Sequence, residues 1–96
     1  MKNYDAFVLV DYVTADFEYL QTDTNILGVY SSFDKALDAM TKLDLVNYYA
    51  GGNRHHIHGD TLKYYEGRLV GRDFWNTENI EHKIRVVAFE MDKEVW

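Results

Sequence analysis

Ser31-Ser32-Phe33-Asp34-Lys35-Ala36-Leu37-Asp38-Ala39-Met40-Thr41-Lys42-Leu43 decides the fold. Ala36, Leu37, Met40 and Leu43 follow Phe33 at offsets of 3, 4, 7 and 10, one apolar stripe of a helix. A hydroxyl of Ser31 or Ser32 can accept from an N–H that the first turn leaves orphaned, so the helix is expected over about 32–43. Asp34 near its start and Lys42 near its end complement the helix dipole. A helix this short does not hold itself together in water, and its stripe needs a surface to bury against. One antiparallel sheet is the economical surface.

Strands are expected on both sides of it. Upstream, Ala6 to Val13 is almost continuously apolar, which fits a strand covered on both faces or placed centrally. Phe17 to Leu20 alternate loosely and offer an extra strand, and Gln21 to Asn25 read as a turn. Ile26 to Tyr30 form a second short strand in which Gly28 marks a bulge or a close backbone approach. Downstream, the pattern dissolves from Asp44 to Asn53, and Gly51-Gly52-Asn53 reads as loop. His56 to Tyr65 is rich in strand formers, and a turn at Gly67 or Gly71 folds it onto Arg68-Leu69-Val70. Arg72 to Asn79 reads as irregular, anchored by Phe74 and Trp75. Ile80 to Met91 alternates, with Ile80, His82, Ile84, Val86 and Ala88 on one face and Glu81, Lys83, Arg85, Val87 and Phe89 on the other. The expected class is α+β: one antiparallel sheet of four to five strands, one main helix on one face, order β-β-α-β-β.

The chain has 96 residues and a mass of 11.3 kDa, the size of a single domain over 1–96. Its 47% hydrophobic and 27% charged residues exclude an intrinsically disordered composition. No apolar run approaches the ~20 residues of a membrane helix, so no membrane role is expected. An acid in Met1 to Asp5 precedes only a short apolar run, which argues against a secretory signal. Without cysteine there is no disulfide or thiolate chemistry, which is compatible with a cytoplasmic setting. A net charge of −6 argues against direct nucleic-acid binding, which needs surplus Lys and Arg. The charge is uneven. Asp5, Asp11, Asp16, Glu18, Asp23 and Asp34 occur between Asn3 and Asp34 with no Lys or Arg. Gly52 to Arg72 instead carries Arg54, Lys63, Arg68 and Arg72 against Asp60 and Glu66.

Tyr4 to Val10, the run Ile26-Leu27-Gly28-Val29-Tyr30-Ser31-Ser32-Phe33-Asp34-Lys35-Ala36 and the closing Phe89 to Trp96 resemble a group of small bacterial and phage domains. Those domains pair a leading apolar strand with a GVYSS…KA strand-to-helix junction and end on a strand with an acid and a tryptophan. The resemblance implies the fold and a bacterial or phage source, and carries over no catalytic residue. Leu45 to Asn79 departs from the pattern.

Arg54-His55-His56-Ile57-His58-Gly59-Asp60 concentrates ligand-type side chains. In an extended strand His56, His58 and Asp60 point to one side, a candidate divalent-metal half-site, and His82 is the only histidine elsewhere. The H-x-H-x-D spacing resembles that of metallo-β-lactamase-like hydrolases, which need a larger scaffold and further ligands. Solvated histidines are therefore expected, with no cofactor, and a metal-dependent enzyme on these residues is the alternative. Ser31 and Ser32 serve better as caps than as nucleophiles, and no nucleophile elbow or phosphate loop occurs. Aromatic residues make up 16% of the chain, and pairs such as Tyr64-Tyr65 cannot both lie under one helix. Tyrosine is enriched where proteins meet.

The expectation is a small acidic, non-enzymatic protein-binding module, of the phage or mobile-element type that inhibits host defence proteins handling nucleic acid (anti-CRISPR or anti-restriction). Its contacts are expected at Asp11, Asp16, Glu18, Asp23, Tyr48 and Tyr65, against a basic nucleic-acid-binding protein. A homo-oligomeric domain, at its simplest a homodimer, is a further alternative.

Overall fold

In the computed structural model, which describes residues 4–15, 22–49, 52, 56–76 and 80–90, the helix forms where its stripe and cap require. Helix α1 spans Phe33–Lys42, and the Ser32 hydroxyl accepts from the Lys35 backbone N–H at 3.2 Å. Ala36 and Met40 are fully buried, with Leu37 and Leu43 packed beside them. Phe33 is half exposed yet meets Phe7 edge-on at 6.1 Å. The chain leaves α1 through Leu43 in extended backbone and starts a second helix, α2, at Leu45–Tyr48. The Asp44 carboxylate caps it, accepting from the backbone N–H groups of Val46 and Asn47. A helix of four residues is too short to show a period, which is why Asp44 to Asn53 reads as patternless.

Strands β1 (Ala6–Ala15), β2 (Thr22–Tyr30), β3 (Ile57–Tyr65), β4 (Arg68–Asn76) and β5 (Ile80–Phe89) form one antiparallel sheet in the order β2-β1-β5-β4-β3. The α+β class and the single sheet agree with expectation. The order along the chain is β-β-α-α-β-β-β, which corrects β-β-α-β-β. Thr22 to Asn25, expected as a turn, extend β2 and pair with Thr14 to Asp11. Arg72 to Asn76, expected as irregular, complete β4. Their alternation is disguised because polar Arg72 and Asn76 share the inward face with Phe74. The extra strand expected at Phe17 to Leu20 lies outside the described residues.

The apolar run of β1 earns its central place between β2 and β5. A bulge sets Leu9 opposite Gly28 and Val10 opposite Ile26, and leaves Leu27 as the added residue of β2. The Tyr30 ring lies over Gly28, so that a Cβ there would stand 2.7 Å from the Tyr30 hydroxyl. Between β3 and β4 the two-residue turn Glu66-Gly67 has φ of 51° and 78°. Two positive φ values make the turn whose twist matches paired strands, and they place the hairpin at Gly67 rather than Gly71.

Both helices lie on one face of the sheet, over a core of Leu9, Met40, Leu45, Phe74 and Ile84. Among the described residues no element covers the opposite face, where Ile26 is 70% and Val29 65% exposed beside Tyr12, Trp75 and Phe89. One buried side chain ties the two layers together. Arg72 on β4 donates to the α1 carbonyls of Met40 and Thr41 and to that of Leu43, at 2.9, 3.4 and 2.8 Å. Its remaining edge grips both oxygens of Asp60 on β3, at 2.9 and 2.8 Å. The carbonyls it satisfies are those a helix C-terminus leaves without partners.

Replacing Arg72 by Ala leaves those carbonyls without their donor, with an expected cost of about 1–3 kcal/mol in urea unfolding. Arg72→Lys recovers only part of it, because an ammonium cannot reproduce the planar fork. Met40→Ala is expected to cost about 2–5 kcal/mol and the half-buried Leu37→Ala less, measured in the same way.

Candidate functional site

Asp11 and His82 lie one diagonal step apart on neighbouring strands: Asp11 faces Ile84, and His82 faces Val13. Both point to the helix side, and both are buried, Asp11 at 0% exposure and His82 at 5%. His82 Nδ1 lies 2.9 Å from Asp11 Oδ2 and 3.2 Å from Oδ1. The Tyr48 hydroxyl, at the end of α2, donates to Asp11 Oδ2 at 2.8 Å. A carboxylate only accepts, so the contact with Asp11 calls for a hydrogen on His82 Nδ1. Nε2, itself buried, has no hydrogen-bond partner among the described residues. The imidazole is stacked on Phe74 at 4.2 Å and 13°, with Tyr49 edge-on at 4.5 Å. Tyr49 in turn accepts a hydrogen bond from the Asn76 side chain, whose own oxygen accepts from the Ile80 N–H.

A cavity of about 480 Å³ opens beside this network, between β2, α2 and the start of β5. His82, Tyr48, Tyr49 and Ile80 line it together with Asp23 and Asn25 of β2. Among the described residues no Lys or Arg lines it. Burial, reinforced by the hydrogen bond and the charge of Asp11, pushes the Tyr48 hydroxyl well above the ordinary tyrosine range; a hydrogen bond with Asn25 opposes this. Tyr48 is therefore held as a neutral donor to the Asp11 carboxylate. A second cavity of about 480 Å³ lies under Leu43 to Val46 and includes His58, Asp60 and Arg72. Its charged groups are already committed, Asp44 to capping α2 and Asp60 to Arg72.

The residues singled out in the sequence are distributed unevenly. Asp23 and Tyr48 come together at the first cavity. Asp11 does not face a partner: it is wholly buried and held by His82 and Tyr48, which corrects its expected place on a contact surface. Asp16 and Glu18 lie outside the described residues. Tyr65 is 67% exposed on β3, the opposite edge of the sheet from β2. His56, His58 and Asp60 do not share a face as strict alternation demands. Ile57 pairs with Asn76 and Gly59 with Trp75, so His58 is the added residue of a bulge, and Asp60 turns inward to Arg72. Among the described residues no group of three or more His, Asp or Glu is placed to hold a metal. Tyr49 and Asn76 carry no expectation from the sequence, and His82 enters it only beside the metal half-site of β3, not as the partner of Asp11. The signal was present in the pattern, since Asp11 and His82 both occupy apolar stripes, between Leu9 and Val13 and between Ile80 and Ile84.

No protein-family model, curated protein or solved structure gives a significant match to this chain.

Tyr48 bears on alkaline stability. Its folded pKa is raised, so the folded state holds its proton more tightly than the unfolded state does. The resulting stabilisation is complete below the ordinary tyrosine pKa and is lost as pH rises towards the folded value. In a tyrosinate absorbance titration, one late-titrating component is expected in the parent and not in Tyr48→Phe. The denaturation midpoint of Tyr48→Phe should also fall less steeply in alkali.

Proposed function

We propose that the chain is a small, non-enzymatic protein-binding module whose acidic end engages a basic surface of another protein. Such surfaces belong to nucleic-acid-handling proteins, and inhibition of one of these by a phage or mobile-element product is the setting the proposal favours. The observation that carries it is the cavity wall, where Asp23, Asn25, Tyr48 and Tyr49 meet with no Lys or Arg among the described lining residues. Tyrosines contribute large rings at low conformational cost, and carboxylates steer a cationic partner towards them. Asp16 and Glu18, in the chain segment that joins β1 to β2, belong to the same acidic stretch, within a net charge of −6. With its hydroxyl held as a donor to Asp11, Tyr48 acts as a rigid contact rather than as an acid or base.

The sheet face that no described element covers favours a second function, self-association. Ile26 and Val29, both strongly exposed, sit on edge strand β2 with Tyr12 and Phe89 nearby on the same face. A long apolar edge strand is a ready template for another strand. Sedimentation at several concentrations checks this: a concentration-dependent dimer that Val29→Lys abolishes supports it, and a monomer throughout removes it.

For the first proposal, a partner captured from a bacterial host lysate and identified by mass spectrometry is measured by stopped-flow mixing. Asp23→Lys is expected to slow association more than it speeds dissociation, whereas Tyr48→Ala chiefly speeds dissociation. Added salt should weaken the parent more than Asp23→Lys, because screening removes what the substitution has already removed. Indifference to salt and to Asp23→Lys, with loss of binding on Tyr65→Ala, would move the contact to the β3 edge.

A further inference from the structure

We infer that the cavity beside His82 is a seat for a guanidinium group. The inference rests on the same cavity being the contact point proposed above, and names the chemistry that it accepts. His82 supplies the first reason. In the neutral imidazole, the hydrogen that faces Asp11 is on Nδ1 and Nε2 is a lone-pair acceptor, buried and without a partner among the described residues, on a side chain that lines the cavity. A buried acceptor left unpaired is costly, and an N–H donor entering the cavity relieves that cost.

Charge supplies the second. Asp23 contributes a carboxylate to the wall, the Asp11 carboxylate stands behind His82, and no Lys or Arg lines the space among the described residues. An anionic ligand is therefore repelled. A neutral apolar ligand leaves Nε2 unpaired, and a divalent metal finds no group of three His, Asp or Glu among the described residues. The walls supply the third. Tyr48 and Tyr49 offer ring surface on which a planar guanidinium stacks, and Val13 and Ile80 offer apolar surface along which a methylene stem lies. Guanidinium is favoured over ammonium because its planar fork of donors can meet an imidazole nitrogen and a carboxylate at once.

The test follows the His82 ring by nitrogen-edited NMR while a probe is added to the intact protein. N-acetylarginine amide and a short arginine-containing peptide present the group free and on a chain; N-acetylcitrulline amide, similar in shape and uncharged, is the control. A saturable shift of the His82 Nε2 signal with either arginine probe, and none with citrulline, supports the seat. Binding by the amide alone would mean that a free small cation suffices, and binding by the peptide alone that the group must arrive on a protein. Asp23→Asn, at an exposed position that leaves the fold intact, should weaken binding about two- to fivefold. Tyr48→Phe keeps the ring and should retain the shift. Equal binding of citrulline and arginine, or an unshifted His82 with every probe, overturns the inference. If that happens while partner capture still depends on Asp23, the proposed function stands and only the guanidinium seat falls.

Discussion

The architecture turns on the guanidinium of Arg72. An α-helix that crosses a sheet must end somewhere, and its last carbonyls must find donors. Here a single side chain rising from β4 meets the carbonyls of Met40, Thr41 and Leu43 while it clamps Asp60 on the neighbouring strand. The end of α1 is thereby fixed over β4 and β3, and the chain leaves Leu43 in the one direction that lets Asp44 cap α2. Everything at the cavity depends on that exit, since α2 brings Tyr48 onto Asp11 and is followed at once by Tyr49 over His82. An arginine that touches neither Tyr48 nor His82 thus sets where both of them are.

The Asp11–His82 pair places a carboxylate and an imidazole where leucines would pack. Desolvating a carboxylate is expensive unless hydrogen bonds replace the water, and Asp11 receives them from two directions. Phe74 and Tyr49 enclose the ring on which the pair depends, and Asn76 positions Tyr49. The one buried side-chain polar atom left unserved among the described residues, Nε2, belongs to His82, a residue that lines the cavity. That contrast with the careful satisfaction of its neighbours sets the cavity apart from the second one, whose charges are all spent on holding the chain together.

How much of this was legible depended on whether local pattern or tertiary pairing decided the matter. The stripe and the Ser32 cap of α1 are local, and the helix ends within a residue of where they place it. The central position of β1 follows from its apolar run, and the two faces of β5 from its alternation. Asp11 misled because a charged residue is ordinarily a surface residue, although its place in step with Leu9 and Val13 marked it as inward. Arg72 and Asn76 misled likewise, and hid a strand. The histidines of β3 failed for another reason: a bulge at His58 shifts the phase of the strand, and a bulge is decided by the partner strand rather than by the sequence around it.

The sheet is also two sheets joined along one line. β2-β1 and β5-β4-β3 are each built from hairpins between chain neighbours, and only the β1–β5 seam connects them. Asp11 and His82, 71 residues apart, stand on either side of that seam. Slipping β5 by one residue along β1 would turn His82 and Ile84 to the outer face and carry Lys83 and Arg85 in beneath the helices. The hydrogen bond between the two buried side chains exists in one alignment only, and a slip in either direction breaks it. The pair therefore acts as a proofreading mark for assembly, admitting one alignment of the two halves and rejecting the nearest mistaken ones.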